Sequence, residues 1–337
     1  MTILFTGYPG FLGSALLPRV LGRSDGATAI CLVQPKFAAL ARQRSAALGN
    51  RVRIVEGDIT RKIEIATDDI EEIYHLAAIY DLSVPRDAGM RVNVDGTRHV
   101  LDFAERCSSL RRFQYVSTCY VSGRYDGVFR EEDLEVGQRF NNFYEETKYL
   151  AEIEVRKRSG LPYTIYRPAI VVGDSRNGET QKFDGPYFLL RWVLRQPRIA
   201  IVPVPARPDR VEFNTVPRDF IIDAIDFLSR AQTGGCYQLA DPAPMTVDQL
   251  IDVIAAATNR RIVRIPLIKA VAKLGAPLLR IPAAAVDYFW HSTRYDTTNA
   301  QRGLAGSGIS VPPFAEYAPK LVEFFRAHPE ISATAMA

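Results

Sequence analysis

Short apolar runs alternate with amphipathic segments through the first half of the 337-residue chain. Ile3-Leu4-Phe5, 28–33 (TAICLV), 52–55 (VRIV), 73–77 (IYHLA), 113–117 (FQYVS) and 163–167 (YTIYR) have the composition of buried strands, and the segments 36–48, 90–106 and 142–159 between them have helical spacing. This rhythm predicts a parallel sheet covered on both faces, and right-handed crossovers make it a doubly wound α/β fold. Pro18 falls inside the first helix and predicts a bend there. Beyond about residue 168 the rhythm fades and prolines gather, in VPVPARP (202–208) and DPAPM (241–245), while helical pieces recur near 186–196, 217–231, 246–257 and 315–327. The expectation is a sheet domain over 1–168 and a smaller, mostly helical lobe over 169–337, intertwined so that some strands return to the sheet. No internal repeat or low-complexity tract interrupts the pattern.

Composition narrows the class. With 47% hydrophobic residues the chain can build a large core, and 42 Lys+Arg against 38 Asp+Glu give a net charge of only +4, spread along the sequence. That distribution lacks a nucleic-acid-binding stripe and points to a small-molecule partner. Cys31, Cys107, Cys119 and Cys236 lie far apart with no CxxC pair, so neither a metal site nor a disulfide framework is expected, and a reducing compartment suits them. The chain enters a predicted strand directly, with no basic-then-apolar leader, so the expected location is the cytoplasm. No apolar run reaches the ~18 residues of a bilayer span. The most apolar stretch, 267–290, is broken by Lys269, Lys273, Arg280 and Asp287; it reads as the cap of an apolar pocket or a peripheral membrane contact.

Candidate chemistry begins at TGYPGFLG (6–13), where Gly7, Gly10 and Gly13 stand at three-residue spacing between a strand and a helix. Bare backbone there lets a phosphate reach the N–H groups of a helix N-terminus, with Pro9, Phe11 and Leu12 shaping the turn. Asp58, followed by Ile59 after the third strand, is placed to accept from an adenine amino group or to cap a turn. The second strand ends in Gln34-Pro35-Lys36, without the acid that would select a ribose 2′-hydroxyl, so a 2′-phosphate is tolerated and Lys36 or Arg42 could meet it. NADP is therefore the expected cofactor, with NAD possible. A further strand delivers Ser117 and Thr118 to its C-terminal end, and a later helix carries Tyr144 and Lys148 four residues apart on one face. A Tyr that transfers a proton needs its pKa of ~10 moved toward the working range, and a neighbouring ammonium lowers it. Thr118 can hold a substrate oxygen as charge develops on it. Cys119 and His75 read as core and packed strand-end residues, Glu131-Glu132 and Glu145-Glu146 as helix starts or solvated faces, and DGPYFLLRW (184–192) equally as core or substrate wall.

In combination and in order, TGYPGFLG, GDIT (57–60), YHLAAIYD (74–81), NVDGT (93–97), YVSTCYVSG (115–123), YEETK (144–148) and YRPAIVVGDS (166–175) resemble the extended short-chain dehydrogenase/reductases over nearly the whole chain. Phe11-Leu12-Gly13, YVST, YxxTKxxAE (144–152) and RPAIVVGDSRNGE (167–179) look most like the fatty acyl-CoA reductases and carrier-protein thioester reductases. The resemblance implies a Rossmann-type fold with Tyr144 as acid/base, Lys148 on the nicotinamide ribose and Thr118 on the substrate oxygen. It also implies that Leu76, Ala77, Ala78, Asn93, Val116 and Ser117 line the cofactor path and that Pro168, Ala169, Ile170 and Val171 approach the nicotinamide. Gln34 departs from the pattern, since many thioester reductases carry an Arg there. The activity implied is NAD(P)H-dependent reduction of an apolar acyl thioester, offered by CoA or a carrier protein, or of an aldehyde or ketone, by a monomer or homodimer. A hydroxysteroid-type alcohol dehydrogenase and a nucleotide-sugar epimerase or dehydratase are the alternatives within this superfamily. A dinucleotide sensor without catalysis is disfavoured by the intact Thr118, Tyr144 and Lys148.

Overall fold

The computed structural model describes residues 1–230, 234–276 and 282–332. Of the apolar stretch expected to cap a pocket, 277–281, with Arg280, lies outside the described residues. Strands follow in chain order as β1 (Thr2–Thr6), β2 (Thr28–Val33), β3 (Val52–Glu56), β4 (Ile70–His75), β5 (Arg112–Val116), β6 (Gly127–Phe129), β7 (Tyr163–Pro168), β8 (Ile170–Val172), β9 (Ile199–Val204), β10 (Thr215–Pro217), β11 (Cys236–Leu239), β12 (Arg261–Pro266) and β13 (Thr293–Tyr295). Seven of them form one parallel sheet in the order β11-β7-β5-β4-β1-β2-β3.

Alternation along β1 shows why its sequence is apolar throughout. Ile3 and Phe5 pack on one face with Leu16, Leu17 and Val20 of the helix Phe11–Leu21, and Leu4 packs on the other with Val100 and Phe103 of the helix Gly96–Ala104. Both faces are covered, so neither can be polar. The helix Phe11–Leu21 carries Pro18 in its final turn and ends three residues later. From β1 the chain turns to β2 on one side, and later to β4 on the other, so a crevice opens at the C-terminal ends of β1 and β4.

The second half of the chain is woven into the first. The helix Arg218–Leu228 sends Ile221 and Ile225 into the core beneath β1 and β2, and β11 then pairs in parallel with β7 to close one edge of the sheet. The remaining core of this half gathers Tyr187, Leu190, Val202, Leu250, Ile254 and Leu321. Its helix Val247–Thr258 opens on a capping box, the Thr246 hydroxyl accepting from Gln249 N–H and the Gln249 side chain accepting from Thr246 N–H. Among the described residues no helix is long and apolar enough to cross a membrane.

Candidate functional site

Gly7 adopts φ +87°, and a Cβ on it would lie 2.7 Å from the carbonyl carbon of Leu76. A Cβ on Gly13 would lie 2.5 Å from the Gly7 carbonyl oxygen. The turn after β1 is therefore folded tightly against itself and against the end of β4, and only glycine permits that approach. Gly10 is the N-cap of the helix Phe11–Leu21, and no side chain caps it. Uncapped N–H groups beside a glycine cradle fit the pyrophosphate of a dinucleotide. At the far end of the crevice the Asp58 carboxylate is fixed by Gln34 Nε2 at 2.8 Å and by Thr60 N–H at 2.9 Å.

The reactive centre is assembled by β5 and the helix Phe143–Lys157. Asn142 starts that helix by accepting from Glu145 N–H at 3.0 Å, which turns Tyr144 and Lys148 inward together, as their spacing predicts. Both are buried. Lys148 Nζ donates to the Tyr115 hydroxyl at 2.9 Å and to the Val116 carbonyl at 2.8 Å. Burial pushes the Lys148 ammonium down to about 7, against the pull of Glu152. Burial likewise holds the Tyr144 phenol well above its ordinary range, a hydrogen bond with Thr118 opposing it. The expected lowering of the Tyr144 pKa by Lys148 is thus not what this arrangement gives: the ammonium is committed to Tyr115 and to backbone. Thr118 also donates to the Pro168 carbonyl at 3.4 Å and accepts from Tyr120 N–H at 3.3 Å. One turn beyond Lys148, Glu152 forms an ion pair with Arg167 at 2.7 Å, both side chains fully buried, and accepts from the Ser117 hydroxyl at 2.7 Å.

These elements enclose one cleft of about 900 Å³. Gly7, Pro9, Gly10, Phe11, Leu12 and Gly13 form one end of its wall with Gln34, Lys36, Asp58 and Ile59, and Leu76, Ala77, Ala78, Val116 and Ser117 form its floor. Thr118, Tyr144, Lys148 and Pro168, Ala169, Ile170 and Val171 lie on the same surface. Two residues named from the sequence do not. Asn93, expected on the cofactor path, is buried behind it, its amide accepting from Ile79 N–H at 2.8 Å and donating to the Thr147 hydroxyl at 3.0 Å, so it positions a wall residue instead. Arg42 is turned away to Glu56 at 2.5 Å. Arg44 takes the inward place, donating to the Pro9 carbonyl at 2.7 Å beside the glycine turn.

The substrate side brings together Tyr80, Tyr120, Lys182 and Phe213, which sequence reasoning did not single out, with Asp184, Tyr288 and Phe289 of the two stretches it offered as wall and cap. The Tyr80 ring meets the Tyr144 ring edge-on at 5.0 Å, Lys182 stands 4.3 Å over Tyr80, and Lys182 is ion-paired to Asp184 at 3.0 Å. Phe213, Tyr120, Tyr288 and Phe289 complete an aromatic wall. Of the segment 184–192, Asp184 and Gly185 face the cleft while Tyr187 and Leu190 are core. His75 is a packed strand-end residue held by Thr6 at 2.8 Å and Thr97 at 3.0 Å, with burial pushing its pKa down to about 3. The Cys119 thiol donates to the Arg167 carbonyl, and burial pushes its pKa far up. Among the described residues no cluster of His, Cys, Asp and Glu could hold a metal ion.

A parallel sheet with a glycine cradle at its switch point, and a buried Tyr and Lys beyond it, defines an NAD(P)-dependent oxidoreductase of the extended short-chain dehydrogenase/reductase type. Residues 5–225 match the NAD-binding family described as male sterility protein; the match covers more than half of the chain, and the protein belongs to that family. It is 28% identical over 288 residues to a linear gramicidin synthase polypeptide of Brevibacillus parabrevis, a match of 76% of this chain and 5% of that one. It is 27% identical over 280 residues to the 3 beta-hydroxysteroid dehydrogenase/Delta 5-->4-isomerase of Mycobacterium tuberculosis, covering 77% of this chain and 70% of the relative. The crystal structure of the terminal R domain from the myxalamid PKS-NRPS biosynthetic pathway superposes with a TM-score of 0.82 at 25% identity, over 99% of this chain and 92% of that one. The chain thus spans less than a quarter of the length of several curated relatives it matches, the synthase among them.

Proposed function

We propose that the protein uses NADPH to reduce an apolar acyl thioester, presented on CoA or a carrier protein, or the aldehyde derived from it. The observation that carries this reading is that Thr118, Tyr144 and Lys148 line the same cleft that begins at the glycine turn. A nicotinamide dinucleotide, when bound, supplies the hydride. Gly7 through Gly13 would hold its pyrophosphate, Asp58 its adenine, and Lys36, with no acid at residue 34, favours a 2′-phosphate over a bare hydroxyl.

Thr118 and Tyr144 donate hydrogen bonds to the substrate carbonyl oxygen, and these strengthen as that oxygen becomes negative. Tyr144 passes its phenolic proton to the oxygen. Lys148 sits one turn along the same helix with its Nζ held by the Tyr115 hydroxyl and the Val116 carbonyl, and its part in this reading is to hold the nicotinamide ribose beside Tyr144. From a thioester the product is a hemithioacetal, whose C–S bond breaks to give aldehyde and thiol; reduction of the aldehyde gives the alcohol. The aromatic wall of Tyr120, Phe213, Tyr288 and Phe289 supports an apolar substrate over a sugar nucleotide.

The test is NADPH oxidation against acyl-CoA thioesters and free aldehydes, with a 3β-hydroxysteroid plus NAD and a UDP-sugar as controls. Turnover of the acyl series with release of free thiol is expected. Turnover of the steroid alone, or of the UDP-sugar alone, overturns the reading.

A further inference from the structure

Beyond the cleft lies a second, smaller cavity of about 60 Å³, and among the described residues no charged or hydroxyl side chain lines it. Its wall includes Trp192, Ile251, Ala276, Val286, Phe289 and Trp290. Phe289 belongs to the walls of both cavities, and its ring stacks on Phe213 of the cleft at 4.8 Å. The residues beside it repeat the pattern: Ala285 faces the cleft and Val286 the chamber, while Gly185 faces the cleft and Phe188 the chamber. The partition between the two spaces is therefore one aromatic ring flanked by two short segments.

We propose that this chamber is a binding subsite for the distal end of an aliphatic acyl chain, which reaches it by displacing the Phe289 ring; this rests on the acyl reading of the cleft. A water needs two to four polar partners, and these side chains offer it at most the indole N–H of Trp290, that of Trp192 being donated to the Ile201 carbonyl, so the chamber favours methylene groups over solvent. Its size admits roughly four water-sized groups, hence a few methylenes and not a rigid ring system. Each methylene that enters should raise kcat/KM by up to about fourfold, the transfer contribution of one buried CH₂. Ala272 and Ala276 contribute small, buried side chains to its lining, so a larger side chain at either would take up its volume. Trp192 is fixed there by donating its indole N–H to the Ile201 carbonyl at 2.7 Å.

The chain contains two tryptophans, and both line this chamber, so indole emission reports its occupancy directly. We would titrate the protein, with NADP present, with straight-chain alcohols of increasing length and follow tryptophan emission. In parallel we would measure the ratio of long-chain to short-chain kcat/KM for the wild type, Phe289→Ala and Ala276→Leu, each checked for folding by its melting temperature. Emission should change only once the chain is long enough to pass Phe289, the long-to-short ratio should rise in Phe289→Ala, and it should fall several-fold in Ala276→Leu. Where either variant fails to fold, the wild-type emission series decides. Short acyl substrates turned over normally, with emission indifferent to chain length, overturn the subsite and leave the acyl reading standing. No turnover of any acyl substrate overturns both.

Discussion

At the scale of single residues, the proposed preference for NADPH rests on the end of β2. Gln34 brings no charge, and its amide is spent on Asp58, so a 2′-phosphate there meets neither repulsion nor strong help from that side chain. Lys36 lies on the cleft wall in the next turn. We expect Lys36→Ala to weaken NADPH binding by about fivefold, the scale of an exposed charge pair worth ~1 kcal/mol, and to leave NADH unchanged. Titration of nucleotide fluorescence checks this; equal losses for both nucleotides would remove Lys36 from phosphate recognition. The same neighbourhood shows how far a sequence can be read. Arg42 and Arg44 stand two residues apart on the helix Pro35–Ser45, so their side chains leave it in different directions. One pairs with Glu56 and the other reaches the Pro9 carbonyl, and composition cannot distinguish them. Asn93 departs from its expected place for a similar reason: its partners Ile79 and Thr147 are brought to it only by the fold.

At the scale of elements, the helix Phe143–Lys157 carries the proposed acid/base, and its position depends on one buried ion pair. Arg167 leaves β7 and meets Glu152 with neither side chain exposed, while Ser117 at the end of β5 donates to the same carboxylate. The helix, β5 and β7 are thereby fixed to one another next to Tyr144. Burial opposes the charge on Glu152, and Arg167 more than offsets it, holding the carboxylate below its ordinary range. Arg167→Met leaves that carboxylate buried with only the partly exposed Arg156 at 3.0 Å, and we expect a loss of up to about 3 kcal/mol in unfolding free energy, measured by urea denaturation. The double variant Arg167→Met/Glu152→Leu should recover much of it. A single variant as stable as the wild type would contradict the role given to the pair. The YxxxK spacing is legible because i and i+4 share a helical face whatever the fold, and it places Tyr144 and Lys148 together. That Lys148 turns to Tyr115, 33 residues away across the sheet, is not legible.

At the scale of the whole molecule, the parallel sheet is legible because strands buried on both faces must be apolar throughout, and the glycine turn marks where the crevice opens. The second half is harder to read, since β8 and β10 have three residues each and β11 reaches the sheet only after a long excursion through the substrate side. The helix Arg218–Leu228 packs beneath β1 and β2, while Phe213, five residues before it, lines the cleft from the second core, so one short stretch of chain ties the two cores together beside the cleft. The central claim is that this single cleft transfers hydride to a carbonyl carbon while Tyr144 protonates the oxygen. The measurement that tests it most directly follows deuterium from NADPH deuterated at the nicotinamide C4 into the product of a straight-chain aldehyde, in the wild type and in Tyr144→Phe. Deuterium should appear on the carbonyl carbon of the wild-type alcohol, and the variant should lose ~10²–10⁴-fold in rate while binding NADPH as before. Product alcohol free of deuterium, or a variant that keeps most of the wild-type rate, would contradict the account.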